Sequence, residues 1–548
     1  MTTSRRRTWT SAAALAATTL VLSACSSGGS SSGSPGSEAA ADEGEPRYGG
    51  TLTFLEPLFP TCFYAGGSGY YPVATILNQI GDKLTYQDPH TREIHPWLAE
   101  SWDISEDATE YVFHLREDVT FSDGTPLSAE VVAANFDHFG LGDEELGLPA
   151  QEFVSNYVGS EVVDEHTVAF HFDAPVPGFL QATSVVGAAI VAPATYELPY
   201  EEQCQLENVV GTGPFTVSEV VPEQEYTLTV REDYDWAPPH LEHQGRAYLD
   251  EIHIVITPED SVRIGALTSG QADAIRSVQP YDEATIEAAG FQLFAAQTNG
   301  VNPQIALRPA NPLLADVRVR RALLKATDTA AVVETLFTEN YPVATSSLSS
   351  GATGYIDLSD ELAPDVAEAN RLLDEAGWVR GPDGFRSKDG QPLELTTLVP
   401  AVFPLGQQTA ELVAQQWEEI GVKLHIDLPD PATQVQRMAD AADVGVLISH
   451  VGRVDPDVLY SAFHSGQRDY VIGAGAELDA LLEEITGLAE TEDRYAKAAE
   501  VQRYLLDNAL TIPLYEMPQT YAAAPHVHGF GWEPVGRVHL YDTWLAEG

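Results

Sequence analysis

Three cysteines offer the first chemistry in this chain: Cys25, Cys62 and Cys204. Cys25 closes Leu22-Ser23-Ala24-Cys25, the pattern of a bacterial lipobox, in which small residues admit a processing peptidase and the thiol then carries a diacylglyceryl group. Two or more acyl chains make a durable anchor where one alone is marginal. The other two cysteines are expected to pair, since two thiols left over outside the membrane usually do. A Cys62–Cys204 bridge would close a loop of about 140 residues, worth on the order of 4 to 5 kcal/mol in chain entropy. Two free thiols or a metal pair are the weaker alternatives. His526 and His528 in A-P-H-V-H-G share one face of a strand with no third ligand beside them, and are read as solvated rather than as a metal site.

The chain holds no H-E-x-x-H, C-x-x-C, G-x-S-x-G or Walker loop. Gly211-Thr212-Gly213-Pro214 lacks the later glycine and lysine of a phosphate loop, and Pro214 removes a donor, so it reads as a tight turn into a strand. With 82 carboxylates present, some pairs fall close by chance, which denies carboxylate pairing any weight as a glycosidase signal. These motifs assign no catalytic residue, cofactor or metal. The first candidate ligand contact is the loop Phe63-Tyr64-Ala65-Gly66-Gly67-Ser68-Gly69-Tyr70-Tyr71. There the glycines permit backbone approach, and Tyr64, Tyr70 and Tyr71 supply apolar faces with hydroxyls.

These residues need elements to hold them. Arg5-Arg6-Arg7 precede an apolar stretch from Ser11 to Leu22, too short to span a bilayer, so residues 1–24 read as an export signal. Residues 25–46 are Ser/Gly-rich and then acidic, which suits a flexible tether. The remaining stretch of about 500 residues exceeds one core and implies two or three compact units. The formal charge of −54 makes nucleic acid and anionic lipid improbable partners, and its spread along the chain fits a solvated acidic surface better than a cation pocket.

Up to about Ile256 the signals are mainly strands. Val162-Val163 with Val168-Phe170-Phe172, and Phe215 to Val221 with Tyr226 to Val230, read as hairpins, and a helix capped by Ser128 runs to Phe139. Farther on, Leu393 to Val399 alternates, Val413, Trp417 and Ile420 recur at helical spacing, and Val422 to Leu428 alternates again, which is a βαβ unit. Val366 to Ala376 forms a helix stopped by Gly377, and Val444 to Ser449 offers another strand. The expected class is therefore α/β, with a mixed α+β first lobe and a doubly wound second lobe. The aromatic segment from about Thr511 to Leu545 is positioned to cross back to the first lobe.

Several stretches then resemble family 5 of the bacterial extracellular solute-binding proteins, the dipeptide, oligopeptide and nickel binders. They are Tyr48 to Leu52, Phe113 to Phe139 (F-H-L-R-E-D-V-T-F-S-D-G-T-P-L-S-A-E-V-V-A-A-N-F-D-H-F), Gly211 to Phe215, Ile264 to Ile275, Asp316 to Asp328, Leu372 to Trp378 and Trp417 to Val422. The resemblance implies a two-lobed periplasmic-binding-protein-like fold with an extra β-rich subdomain at about 96–208. Lobe I would comprise 47–300, lobe II 301–515, and 516–548 would return to lobe I, with hinges near Asn299 to Ile305 and Leu510 to Thr520. It also implies a monomeric binding lipoprotein on the outer face of the cell membrane, delivering a small peptide-like solute to ABC permease subunits. A siderophore-like, nickel-chelate or opine ligand is the alternative within the family; an exported hydrolase and a non-transport receptor lie outside it. In peptide-binding members an Asp three residues before an acidic residue-Pro pair holds the peptide amine. Here the pair is Asp455-Pro456 and that position is Gly452, with Arg453 beside it, a fork suited to an anion. His450, Arg453 and Asp455 are the second-lobe ligand candidates.

Overall fold

The structure, a computed structural model, describes residues 45–67, 69–399, 403–489 and 491–547. The expected signal segment, Cys25 and the expected tether up to Gly44 lie outside the described residues. Strand Thr51–Glu56 lies inside a seven-stranded sheet, with Leu52 and Phe54 wholly buried. It runs parallel to Glu251–Ile256 on one side and to Ala274–Arg276 on the other. Beyond the first neighbour lie the hairpin strands Glu225–Val230 and Phe215–Val221. On the far side, Pro518–Ala523 is inserted antiparallel between Ala274–Arg276 and Gln292–Gln297. A strand from the chain's last 31 residues thus completes a sheet begun by the first strand among the described residues.

A four-stranded antiparallel sheet, Ala99–Ile104, Glu110–Leu115, Thr167–Phe172 and Tyr157–Asp164, is covered by helix Ala129–Leu141. The alternation of Tyr111, Phe113 and Leu115 buries one face of it, and Phe170, Phe136 and Phe179 meet there with ring centroids 4.7 to 5.7 Å apart. Ser128 caps the helix, its Oγ accepting from the Val131 amide at 3.4 Å. Cys62 and Cys204 are bonded to each other. The glycines of Gly211-Thr212-Gly213-Pro214 serve close packing: a Cβ on Gly211 would fall 2.0 Å from the Ile80 carbonyl oxygen.

The second lobe is built on a five-stranded sheet in the order Lys423–Asp427, Glu394–Leu398, Val446–Gly452, Gly300–Leu307, Thr511–Pro513. The first pair is parallel and joined through helix Gly406–Glu419, the expected βαβ unit, and Val446–Gly452 joins it in parallel. Gly300–Leu307 corrects the doubly wound expectation: it runs antiparallel to both neighbours, so the sheet is mixed. The cause is connectivity, because this strand comes straight from Gln292–Gln297 of the other sheet with only 298–299 between them. Ile305 and Leu307 face one core with Leu323, Leu373 and Trp417, while Ala306 faces another with Leu482, Val501 and Leu505. The fold is α/β and two-lobed.

The chain passes between the sheets at 298–299 and again at 514–517, and these passages touch where the Thr298 amide donates to the Met517 carbonyl at 2.9 Å. No helix among the described residues is long and apolar enough to cross a membrane.

Candidate functional site

Between the sheets, against the two passages, lies a cavity of about 1260 Å³. That exceeds the roughly 300–1,000 Å³ of drug-sized sites. Its wall comes from both lobes. The first contributes the 66–72 loop, the 151–153 turn of the four-stranded part, the 258–281 region and the 533–537 turn; the second contributes 403–408, 428–438, 448–457 and 468–470.

On the first-lobe side, Tyr71 opens helix Tyr71–Ile80 and is pinned rather than free: its hydroxyl donates to the Val535 carbonyl at 2.9 Å and lies 3.2 Å from the Thr298 hydroxyl oxygen. Arg537 lies over the Tyr71 ring, 5.3 Å from its centroid, and donates to the Gly69 carbonyl at 3.0 Å. Burial lifts the Tyr71 hydroxyl above its ordinary pKa, with Arg537 opposing, so it acts as a donor at neutral pH. Arg276 grips Glu56, which is wholly buried, through Nε at 3.0 and 2.9 Å and again through Nη2, and also donates to Gln519 Oε1 at 3.2 Å. Glu533 stands 3.2 Å from the Lys83 ammonium and 3.7 Å from Arg537.

On the second-lobe side, strand Val446–Gly452 ends at the cavity and delivers His450, Gly452 and Arg453. Burial, together with the charges of Arg537 and Arg468, pushes His450 down to about 4, so its ring is neutral. Arg453 donates to Glu152 Oε1 at 3.1 Å and to Asp457 Oδ1 at 3.3 Å. Arg468 donates to the same Glu152 oxygen at 2.8 Å. Burial alone would lift the Glu152 carboxyl, but the two arginines outweigh it and hold it below the usual range. Glu152 belongs to the first lobe, so these pairs bridge the cavity mouth. Burial pushes Asp457 up to about 6 against the pull of Arg453.

Of the residues singled out in the sequence, Tyr70, Tyr71, His450 and Arg453 line the cavity, while Tyr64 and Asp455 stand outside its wall. Tyr64 packs edge-on to Tyr200 at 5.7 Å, in the first-lobe core. Asp455 is taken up by Arg494, which donates to it at 2.8 Å through Nη1 and again through Nη2; burial would raise its carboxyl, and Arg494 reverses the direction. At Gly452 an added Cβ would lie 3.1 Å from Thr298 Cγ2 and 3.4 Å from the Tyr71 hydroxyl, so a larger side chain would press on the Tyr71–Val535 contact. His526 and His528 are partly exposed, the first pairing with Asp273 at 3.0 Å and the second stacking on Trp544 at 4.4 Å. No residue of the Phe113–Phe139 segment lines the cavity. The wall also holds Glu152, Arg276, Arg468, Gln519 and Arg537, which the sequence reading passed over. Their one sequence signal is that basic residues are few, 28 against 82 acids.

A sequence model of the bacterial extracellular solute-binding proteins, family 5 (middle part), matches residues 93–470. The chain is 26% identical over 490 residues to heme-binding protein A of Haemophilus influenzae, covering 85% of this chain and 86% of that protein. It is 24% identical over 486 residues to the dipeptide-binding protein of Escherichia coli, covering 83% and 86%. Among solved structures, the oligopeptide-binding protein AppA of Bacillus subtilis, in complex with a nonapeptide, superposes with a TM-score of 0.77 at 21% identity, covering 92% of this chain and all of that one.

Proposed function

The chain belongs to family 5 of the bacterial extracellular solute-binding proteins, and we propose that it is the lipid-anchored binding subunit of an ABC importer for a small peptide-like solute. The observation that carries this reading is the cavity, whose wall is shared by two lobes joined through two short passages, an arrangement suited to capture by closure. In this reading 47–300 and 516–548 act as one body, 301–515 as the other, and the hinges lie at the passages. Tyr70, Tyr71, His450 and Arg453 contact the solute, and no covalent chemistry follows. Relatives named for dipeptides and oligopeptides support the peptide-like part. The lipobox supports attachment through Cys25, outside the membrane; in this reading the chain works as a monomer beside its permease.

The test is to denature the purified protein and identify the released solute by mass spectrometry, then add it back. At about 100 times its Kd a solute stabilises the folded state by roughly 2.7 kcal/mol, visible as a higher unfolding temperature. The solute is expected back with unchanged mass after incubation; a changed mass would make the chain an enzyme. Cys25→Ser is expected to move the exported protein from the membrane fraction to the medium.

A further inference from the structure

The cavity wall is a closed electrostatic system. Its four described acids are Glu152, Asp260, Asp457 and Glu533, and each is already held by a cation. Glu152 is held by Arg453 and Arg468, Asp457 by Arg453, Asp260 by Arg263 and Glu533 by Lys83. The wall arginines are paired in turn, Arg276 with the buried Glu56 and Arg537, at 3.7 Å, with the Glu533 it shares with Lys83. The Tyr71 ring face, a possible seat for a cation, is covered by Arg537. Between these pairs the wall is studded with neutral amides: eight glutamines line it, of which Gln87 and Gln181 are bonded to each other and Gln519 to Arg276, while Gln279 from the first lobe and Gln407, Gln408 and Gln434 from the second present an amide oxygen that accepts no hydrogen bond among the described residues. Glutamine offers both donors and an acceptor and suits peptide amides on either edge. Apolar surface from Phe403, Leu405 and Met438 lies among them.

A free ammonium entering such a site loses its water and finds every carboxylate engaged. Leaving a charge desolvated and unpaired costs several kcal/mol, whereas amides matched by amides do not meet that penalty. The neutral His450 ring adds no charge to the wall.

We propose that the solute is an uncharged, amide-rich compound lacking free termini, an N-blocked or cyclic peptide, read by the glutamines of both lobes. This rests on the solute-binding reading above and narrows it.

The experiment presents the full-length exported protein with matched synthetic tri- to pentapeptides in three forms: free-ended, N-acetylated with a C-terminal amide, and head-to-tail cyclic. Binding is read by equilibrium dialysis with mass spectrometry. Blocked or cyclic members are expected to bind at least about tenfold more tightly than their free-ended partners, the equivalent of roughly 1.4 kcal/mol. Gln408→Leu and Gln434→Leu, at the partly exposed wall, are expected to weaken the blocked peptides by about fivefold, the loss of a neutral hydrogen bond, with the ligand-free unfolding temperature unmoved. Equal or tighter binding of the free-ended set overturns the proposal and leaves the solute-binding reading standing. So does a native solute that carries a free ammonium. Retention of none of the three sets, with no solute released on denaturation, overturns both.

Discussion

At the scale of single residues, the buried ionisable groups around the cavity set how the protein responds to pH. His450 is pushed down to about 4 by burial and by the charges of Arg537 and Arg468, and His539 to about 4 by burial and Lys83. Unfolded, both take a proton near their ordinary value of about 6.5. Between those pH values the unfolded chain binds protons that the folded protein refuses, so their contribution is full above about 6.5 and is lost as the pH falls toward 4. Asp82 and Asp457, pushed up to about 6 chiefly by burial, act in the opposite sense: their contribution is full below about 4 and is lost as the pH rises through 6. Urea unfolding between about pH 4.5 and 7 is therefore expected to show His450→Asn losing less stability on acidification than the parent. Asp457→Asn is expected to gain on the parent as the pH rises, and parallel curves for all three proteins would refute the assignment. The pair Glu56–Arg276 gives a second outcome. Glu56→Gln leaves a buried guanidinium without its counter-charge and is expected to destabilise by about 3 to 5 kcal/mol in the same measurement.

Elements show where sequence reasoning reaches and where it stops. The hairpins at 157–172 and 215–230 and the unit from Glu394 to Asp427 were legible because each pattern is local: side chains alternate or recur within one strand or helix, and burial follows the period. Ser128 was legible for the same reason, and Ser128→Ala is expected to lower stability by about 1 kcal/mol in thermal unfolding. The direction of Gly300–Leu307 was not, since it depends on how the chain enters from another sheet, which no periodicity records. The cavity wall was half legible. Tyr70, Tyr71, His450 and Arg453 sit in segments whose composition or family likeness marked them, whereas Glu152, Arg276, Arg468 and Arg537 lie far apart in sequence and come to one wall only in the folded chain. Tyr64 shares the glycine-rich loop with Tyr70 and Tyr71, yet Gly66 lets its ring turn inward: a Cβ there would fall 2.7 Å from the Tyr64 hydroxyl.

For the whole molecule, the decisive contact is the grip on Glu152 across the cavity mouth. The first lobe offers one carboxylate, and the second answers with Arg453 at 3.1 Å and Arg468 at 2.8 Å. Beside them, Gly178 of the first lobe approaches so closely that a Cβ there would lie 3.1 Å from Asp457 Oδ2. The side chains are 29%, 11% and 44% exposed, which places the pairs between surface bridges worth under about 1 kcal/mol and buried ones worth more. In the hinge-closing reading proposed above, they would together bias closure by roughly 1 to 2 kcal/mol, a shift of about five- to thirtyfold in the open–closed equilibrium. Because the mouth is partly wet, salt is expected to weaken this bias, as the Debye length shrinks from about 10 Å at 0.1 M to about 3 Å at 1 M. Glu152→Gln keeps the shape and removes the charge. Its ligand-free radius of gyration in small-angle scattering is expected to exceed the parent's at low salt and to match it near 1 M, where the parent has opened as well. Solute affinity falls by the same factor that closure loses, since a binding-competent state populated less often lowers apparent affinity in proportion. A variant that scatters like the parent at every salt concentration would show that the grip follows closure rather than favouring it.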